Sequence, residues 1–313
     1  MKRILSALLV IGCICLSSCA YEQNKSDRLS VACLDFVSYD LARAVCGERA
    51  DARLVIPSDA DSHSHELTLS ESAALMSADI VIYGGGENDI AVERAANASG
   101  KDIKLLRLID CVELLCAEDE DEHEHEHHHD HEHEHEHEYD VHVWTSPTNA
   151  MLICDSICDI LSSLDKEGES DYRNACDEYK AKLSALDNAF ADFFASLSSP
   201  TLIVADVFPF RYFAARYSLE YVAAFSGCAE GDIAPSLTNL AKLKDALEQT
   251  GIDAVFYTEF SSQLTAKCVS EETGCRIFML RSCHRVERDR FESGVTYIDL
   301  MYENLNTLKE ALG

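Results

Sequence analysis

Apolar side chains recur at intervals of three and four along Tyr172, Cys176, Tyr179, Leu183, Leu186, Phe190, Phe193 and Leu197. That spacing keeps one stripe on one face of a helix. It predicts a single amphipathic helix of about 30 residues, longer than globular helices usually run. Ser198-Ser199-Pro200 ends it. Whatever precedes and follows such a helix must pack as two bodies along it, so this segment divides the chain before any other feature is read.

The flanks repeat one pattern. Before the helix, strand-like runs at Leu29–Leu34, Arg53–Ile56, Ala78–Tyr83 and Ile103–Leu108 alternate with helical spacing over Val37–Cys46, Ser70–Ser77 and Asn149–Leu164. After it, strands at Thr201–Ala205, Tyr221–Ala224, Ile252–Tyr257 and Arg276–Leu280 alternate with helices at Phe208–Tyr217, Ser236–Thr250, Ser262–Thr273 and Tyr297–Leu312. Strands and helices in turn predict βαβ units and parallel sheets. The expected fold is therefore α/β, two lobes joined by one rigid helix: 29–165 as the first lobe, 166–199 as the linking helix and 200–313 as the second lobe. In open α/β sheets ligands sit beyond the carboxyl ends of the strands. His63, Asp206, Glu259 and His284 each lie shortly past a predicted strand.

The ends and the charge bound the location and the partners. Met1-Lys2-Arg3, an apolar run to Leu16 and then Leu16-Ser17-Ser18-Cys19 form the pattern of an exported signal peptide over 1–18. Leu-x-x-Cys resembles a bacterial lipobox, which makes Cys19 the expected lipidation site and 19–28 a polar tether. No second segment is long and apolar enough to cross a membrane. The net charge of −30 argues against nucleic acid and favours attraction of cations. Removing Cys13, Cys15 and Cys19 from the fourteen cysteines leaves an odd number that cannot pair completely, with Cys228–Cys283 the pair expected. No Cys-x-x-Cys occurs, which excludes a zinc ribbon.

Between Glu118 and Asp140 lie nine of the thirteen histidines and thirteen acidic residues. Such a run buries nothing and is expected to stay disordered without metal over 118–138. Imidazole beside carboxylate suits borderline divalent metals, zinc ahead of calcium or magnesium. The tract reads as a collector that binds several Zn²⁺ weakly. The His-Glu-x-x-His match at His123–His127 is an accident of alternation, because that motif needs a structured helix.

Directly after the tract, Asp140-Val141-His142-Val143-Trp144-Thr145-Ser146-Pro147-Thr148-Asn149-Ala150 resembles the Asp-Pro-His-x-Trp-x-Ser-Pro-x-Asn-Ala segment of the zinc and manganese solute-binding lipoproteins of bacterial ABC uptake systems. Asp61-Ser62-His63-Ser64-His65-Glu66 is similar to that family's Asp-x-His-Ser-x-Glu loop. The resemblance covers nearly the whole mature chain and implies His63 and His142 as metal ligands. It also implies a monomer without enzymatic activity, anchored by lipid on the outer face of the membrane, that delivers Zn²⁺ to an ABC permease.

The second half departs from the family. Five residues before Tyr212-Phe213, where a ligand is usual, stands Val207, which cannot ligate. Asp206 is the adjacent replacement, although it could instead cap the next helix. The loop after the last strand reads Arg281-Ser282-Cys283-His284, making His284 the natural donor, with Glu259 a reserve ligand and Cys283 a remote one. Asp299 begins the terminal helix and is not counted. The expected set is His63, His142, His284 and Asp206, three imidazoles and a carboxylate in a tetrahedral zinc shell. The alternatives are a Mn²⁺ or Fe²⁺ carrier of the same build, a secreted zinc hydrolase, and a metal buffer without a transporter.

Overall fold

The structure, a computed structural model, describes residues 28–86, 89–115, 139–225 and 236–313. The expected signal peptide, Cys19, the 118–138 tract and Cys228 fall outside these residues. Among the described residues, eight strands form two four-stranded parallel sheets. The first holds β1 (Ser30–Cys33), β2 (Asp51–Leu54), β3 (Ile80–Tyr83) and β4 (Lys104–Arg107) in the order β2-β1-β3-β4. The second holds β5 (Thr201–Val207), β6 (Glu220–Phe225), β7 (Ala254–Thr258) and β8 (Arg276–Leu280) in the order β6-β5-β7-β8. All four residues of β3 are buried, because helices cover both faces of the sheet and leave no polar side to alternate with. In each sheet the order reverses beside the first strand, opening a crevice at the carboxyl ends.

The helices are α1 (Phe36–Cys46), α2 (Leu69–Ser77), α3 (Ile90–Ala98), α4 (Pro147–Leu164), α5 (Glu169–Ala195), α6 (Arg211–Tyr217), α7 (Leu237–Thr250), α8 (Leu264–Thr273), α9 (Arg288–Glu292) and α10 (Tyr297–Leu312). Their starts follow side-chain chemistry. Asp35 caps α1 by accepting from Ser38 N at 2.7 Å. Thr68 with Glu71 on α2, and Thr296 with Asp299 on α10, form reciprocal capping boxes. Asp299 is thus a capping residue, as its position in the sequence implies.

The long helix is α5, and its buried stripe follows the predicted spacing over Tyr172, Cys176, Tyr179, Leu183, Leu186, Phe190 and Phe193, while Leu197 lies past the helix, which stops at Ala195 rather than reaching Ser199. Its first half packs on the first lobe, where Tyr179 OH donates to Asp40 of α1 at 2.9 Å. Its second half packs on the other lobe, where Phe190 meets Phe213 edge-on at 5.0 Å. One hydrophobic core runs through both lobes along this helix. Two departures from expectation are local. The helix expected from Phe208 begins at Arg211, since Pro209 disfavours helical backbone in the residue before it. Helices α3 and α9 carry little apolar signal, burying only Val92 and Ala96 in α3 and nothing in α9.

The lobes are stitched together where the site lies. Phe36 N donates to His284 O (3.2 Å), Val286 N to Ser58 O (2.8 Å), and Trp144 Nε1 to Ser282 O (2.9 Å). Tyr297 OH donates to Trp144 O at 2.7 Å. The loop after β8 therefore belongs to the second sheet by sequence and is bonded to the first lobe. No helix among the described residues is long and apolar enough to cross a membrane.

Candidate metal centre

His63 sits on a turn after β2. Asp61 builds that turn: its carbonyl accepts from Ser64 N (3.2 Å) and His65 N (2.9 Å), and its carboxylate from His63 N (3.1 Å). His142 repeats the device. Asp140, also two residues upstream, accepts from His142 N at 2.8 Å and pairs with His142 Nδ1 at 2.8 Å. A proton held on Nδ1 by the carboxylate makes Nε2 the metal-binding nitrogen. The rest of the Val-Trp-Thr-Ser-Pro-Thr-Asn segment fixes the backbone there. Thr145 N and Oγ1 donate to His142 O, Asn149 Nδ2 donates to Val143 O, and Pro147 opens α4. Trp144, 1% exposed, stands 5.4 Å from the His142 ring and 5.6 Å from the His284 ring.

The three expected histidines come together from three distant segments. Ring centroids are 4.4 Å apart for His63 and His284, 5.5 Å for His63 and His142, and 6.2 Å for His142 and His284. His63 Nε2 is buried and has no hydrogen-bond partner, an atom that is costly to leave unpaired. Donor atoms of Asp61, His63 and His284 all lie within 4.8 Å of one another; His142 is not part of that group. Asp61 Oδ1 is 3.9 Å from His284 Nδ1, and Ser62 Oγ is 2.6 Å from His284 Nε2. Tetrahedral zinc–nitrogen bonds place donors about 3.3 Å apart, so an ion would draw Asp61, His63 and His284 together by no more than about 1.5 Å.

The electrostatics favour neutral rings. Burial, then the neighbouring His142, lowers the His63 pKa to about 4. Burial, then His63 and His142, holds His284 well below the usual imidazole range. Held neutral, His63 and His284 present lone pairs to a metal without first releasing protons.

The expected carboxylate is a different matter. Asp206 accepts from Thr258 N (3.0 Å) and Thr258 Oγ1 (2.7 Å) through one oxygen, and from Val207 N (2.9 Å) through the other. It ties β5 to β7 at the wall of a neighbouring cavity of about 370 Å³ and is not among the converging donors. Nor does it cap α6, whose N-cap Phe210 makes no side-chain bond. Glu259 is buried and accepts from Ser282 N (2.7 Å), Ser282 Oγ (2.8 Å) and Cys283 N (3.1 Å). Cys283 turns its thiol toward Arg281 O at 3.7 Å, and burial raises its pKa. His65 pairs with Glu71 at 3.0 Å, away from the cluster. The acid that does join the imidazoles is Asp61. The signal for it is the shared Asp-x-His spacing of 61–63 and 140–142.

Known proteins are similar over the whole of this architecture. The family model for the periplasmic component A of the zinc-uptake complex matches residues 31–311. The zinc-binding lipoprotein AdcA of Streptococcus pneumoniae serotype 4 is 27% identical over 311 residues, 99% of this chain, which spans only 61% of that protein. The high-affinity zinc uptake system protein ZnuA of Bacillus subtilis is 28% identical over 309 residues, 97% of this chain and 94% of that one. The manganese ABC transporter substrate-binding lipoprotein PsaA of Streptococcus pneumoniae is 23% identical over 321 residues, covering 100% and 99%. The crystal structure of the Zn(II)-bound ZnuA-like domain of pneumococcal AdcA superposes with a TM-score of 0.74 at 24% identity, over 91% of this chain and 99% of that one. That of the metal-dependent lipoprotein YcdH from Bacillus subtilis gives 0.76 at 24%, over 91% and 100%. With a family model spanning both sheets, the linking helix and all three histidine segments, the chain belongs to the family of zinc-uptake complex component A, ZnuA.

Proposed function

We propose that this protein captures Zn²⁺ outside the cytoplasm through His63, His142, His284 and Asp61, and hands it to an ABC permease for import. The observation that carries the reading is the convergence of three imidazoles from three segments, His142 and His284 buried and the half-buried His63 with an orphaned Nε2, beside one carboxylate. Three neutral nitrogens and one anionic oxygen suit zinc; a shell dominated by carboxylates would suit manganese. The zinc-binding and zinc-uptake names of the relatives support the same choice. Cys19 is read as the lipid anchor, 29–165 and 200–313 as the two lobes, and the chain as a binding protein rather than an enzyme.

The test is competition between purified protein and a chromophoric chelator, with Zn²⁺ and then Mn²⁺ as titrant. One tight zinc site is expected, lost in His142→Ala and His63→Ala. Zinc affinity unchanged by both substitutions would refute the site. Tighter binding of Mn²⁺ would move the cargo to manganese and leave the site in place.

A further inference from the structure

We infer that Glu259 is a positioning residue for His284: its carboxylate is the template on which the loop after β8 is bent. The inference rests on the zinc site proposed above and adds a residue that does not itself bind the ion.

Glu259 follows β7 and is 4% exposed. Its two oxygens take three donors from two successive residues of the β8 loop, Ser282 N, Ser282 Oγ and Cys283 N. Ser282 Oγ is itself the acceptor for His284 N at 3.2 Å, so the chain of bonds ends on the ligand's own backbone. Between them Cys283 has φ +61°, a left-handed conformation that a non-glycine residue adopts only when its surroundings impose it. This left-handed residue sets the direction in which the chain leaves toward His284. Three converging donors on one buried anion are what holds it.

The opposite side of the loop is held by the first lobe, through Trp144 Nε1 on Ser282 O and Phe36 N on His284 O. Glu259 is the second-lobe half of that clamp. A glutamine there is isosteric, but its amide group presents a donor where Ser282 or Cys283 already donates. A direct ligand would instead direct an oxygen at the imidazoles, and the group of converging donors among the described residues does not include Glu259.

The experiment uses the full chain with Glu259→Gln, Ser282→Ala, His284→Ala and the Glu259→Gln/His284→Ala double variant. Zinc affinity is read against a chelator strong enough to strip the His/Glu tract, and Co²⁺ replaces zinc for its visible spectrum. Glu259→Gln is expected to weaken zinc roughly ten- to a hundredfold, the range for partners that orient metal ligands, with one tight ion still bound. The Co²⁺ bands should shift, and in the His284→Ala background the same change should cause no further loss. Should Glu259→Gln fail to fold, Ser282→Ala carries the test, with a smaller loss in the same direction. Additive losses in the double variant, or a Glu259→Gln protein with unchanged affinity and spectrum, would overturn the inference. If His284→Ala alone leaves zinc affinity unchanged, it is the zinc site itself that fails.

Discussion

Asp35 illustrates how one residue can serve a helix and oppose the fold at once. Its carboxylate caps α1, yet burial raises its pKa from 3.8 to about 6, outweighing the bonds from Ser38. Between those two values the folded chain keeps a proton that the unfolded chain has released. The contribution to stability is therefore fully present below about pH 4 and is lost as pH rises through about 6. Asp35→Asn keeps an acceptor for Ser38 N and removes the buried charge. It is expected to raise stability at about pH 7.5 by roughly 1–3 kcal/mol, with the gain fading below about pH 4. Urea unfolding at the two pH values checks this, and an unchanged midpoint at the higher one would contradict it. Asp140 poses the complementary case, a carboxylate acting through its partner. Asp140→Ala releases both His142 N and Nδ1. Zinc affinity should drop roughly ten- to a hundredfold with little change in melting temperature. A silent Asp140→Ala would mean that Trp144 and the Pro-Thr-Asn segment suffice to aim the ring.

At the scale of elements, α5 dominates. Phe190 is fully buried and meets Phe213 at 5.0 Å, Tyr217 at 5.6 Å and Phe194 at 6.3 Å, joining the linking helix to α6. Phe190→Ala should destabilise by about 3–5 kcal/mol, measured by denaturant unfolding. A loss under about 1 kcal/mol would mean that neighbouring rings collapse into the space. The same residue explains why α5 was legible: its buried positions follow the 3.6-residue period without interruption. Strands such as Ile80–Tyr83 were legible as short apolar runs. Helices α3 and α9 were not, because they are short and bury only two residues and none, respectively. Among site residues, His63 and His142 stand in segments whose neighbours bond their own turns, so local sequence carries the geometry. The roles of Asp61, Asp206 and Glu259 were not separable in sequence. Asp206 is the penultimate residue of β5, Glu259 directly follows β7, and Asp61 stands on the loop after β2. Whether such a carboxylate meets imidazoles or backbone N–H groups depends on which loop folds back over it, a tertiary outcome that residue spacing does not encode.

The whole molecule combines a clamped cleft with a charged tract outside the described residues, and the two should separate by pH. Asp40 of α1 accepts from Tyr179 OH on α5 and from Tyr297 N on α10, each at 2.9 Å, so helix, first lobe and second lobe meet on one buried carboxylate. With the β8 loop also bonded to the first lobe, zinc has little lobe closure to drive. Small-angle scattering should give the same radius of gyration with and without zinc, and a marked contraction would contradict the clamp. The tract differs in composition, its nine imidazoles lying among acids in the sequence. An unperturbed imidazole takes up a proton at about pH 6.5, and a protonated ring cannot ligate. His63 in the cleft stays neutral down to about pH 4. At about pH 7.5 the full chain should bind several zinc ions and a 118–138 deletion only one, while at about pH 5.5 both should bind close to one. Equilibrium dialysis at the two pH values decides it. If the full chain keeps its extra zinc at the lower pH, acids rather than imidazoles hold it. If the deletion loses its single ion there, burial does not keep His63 and His284 neutral enough to hold it.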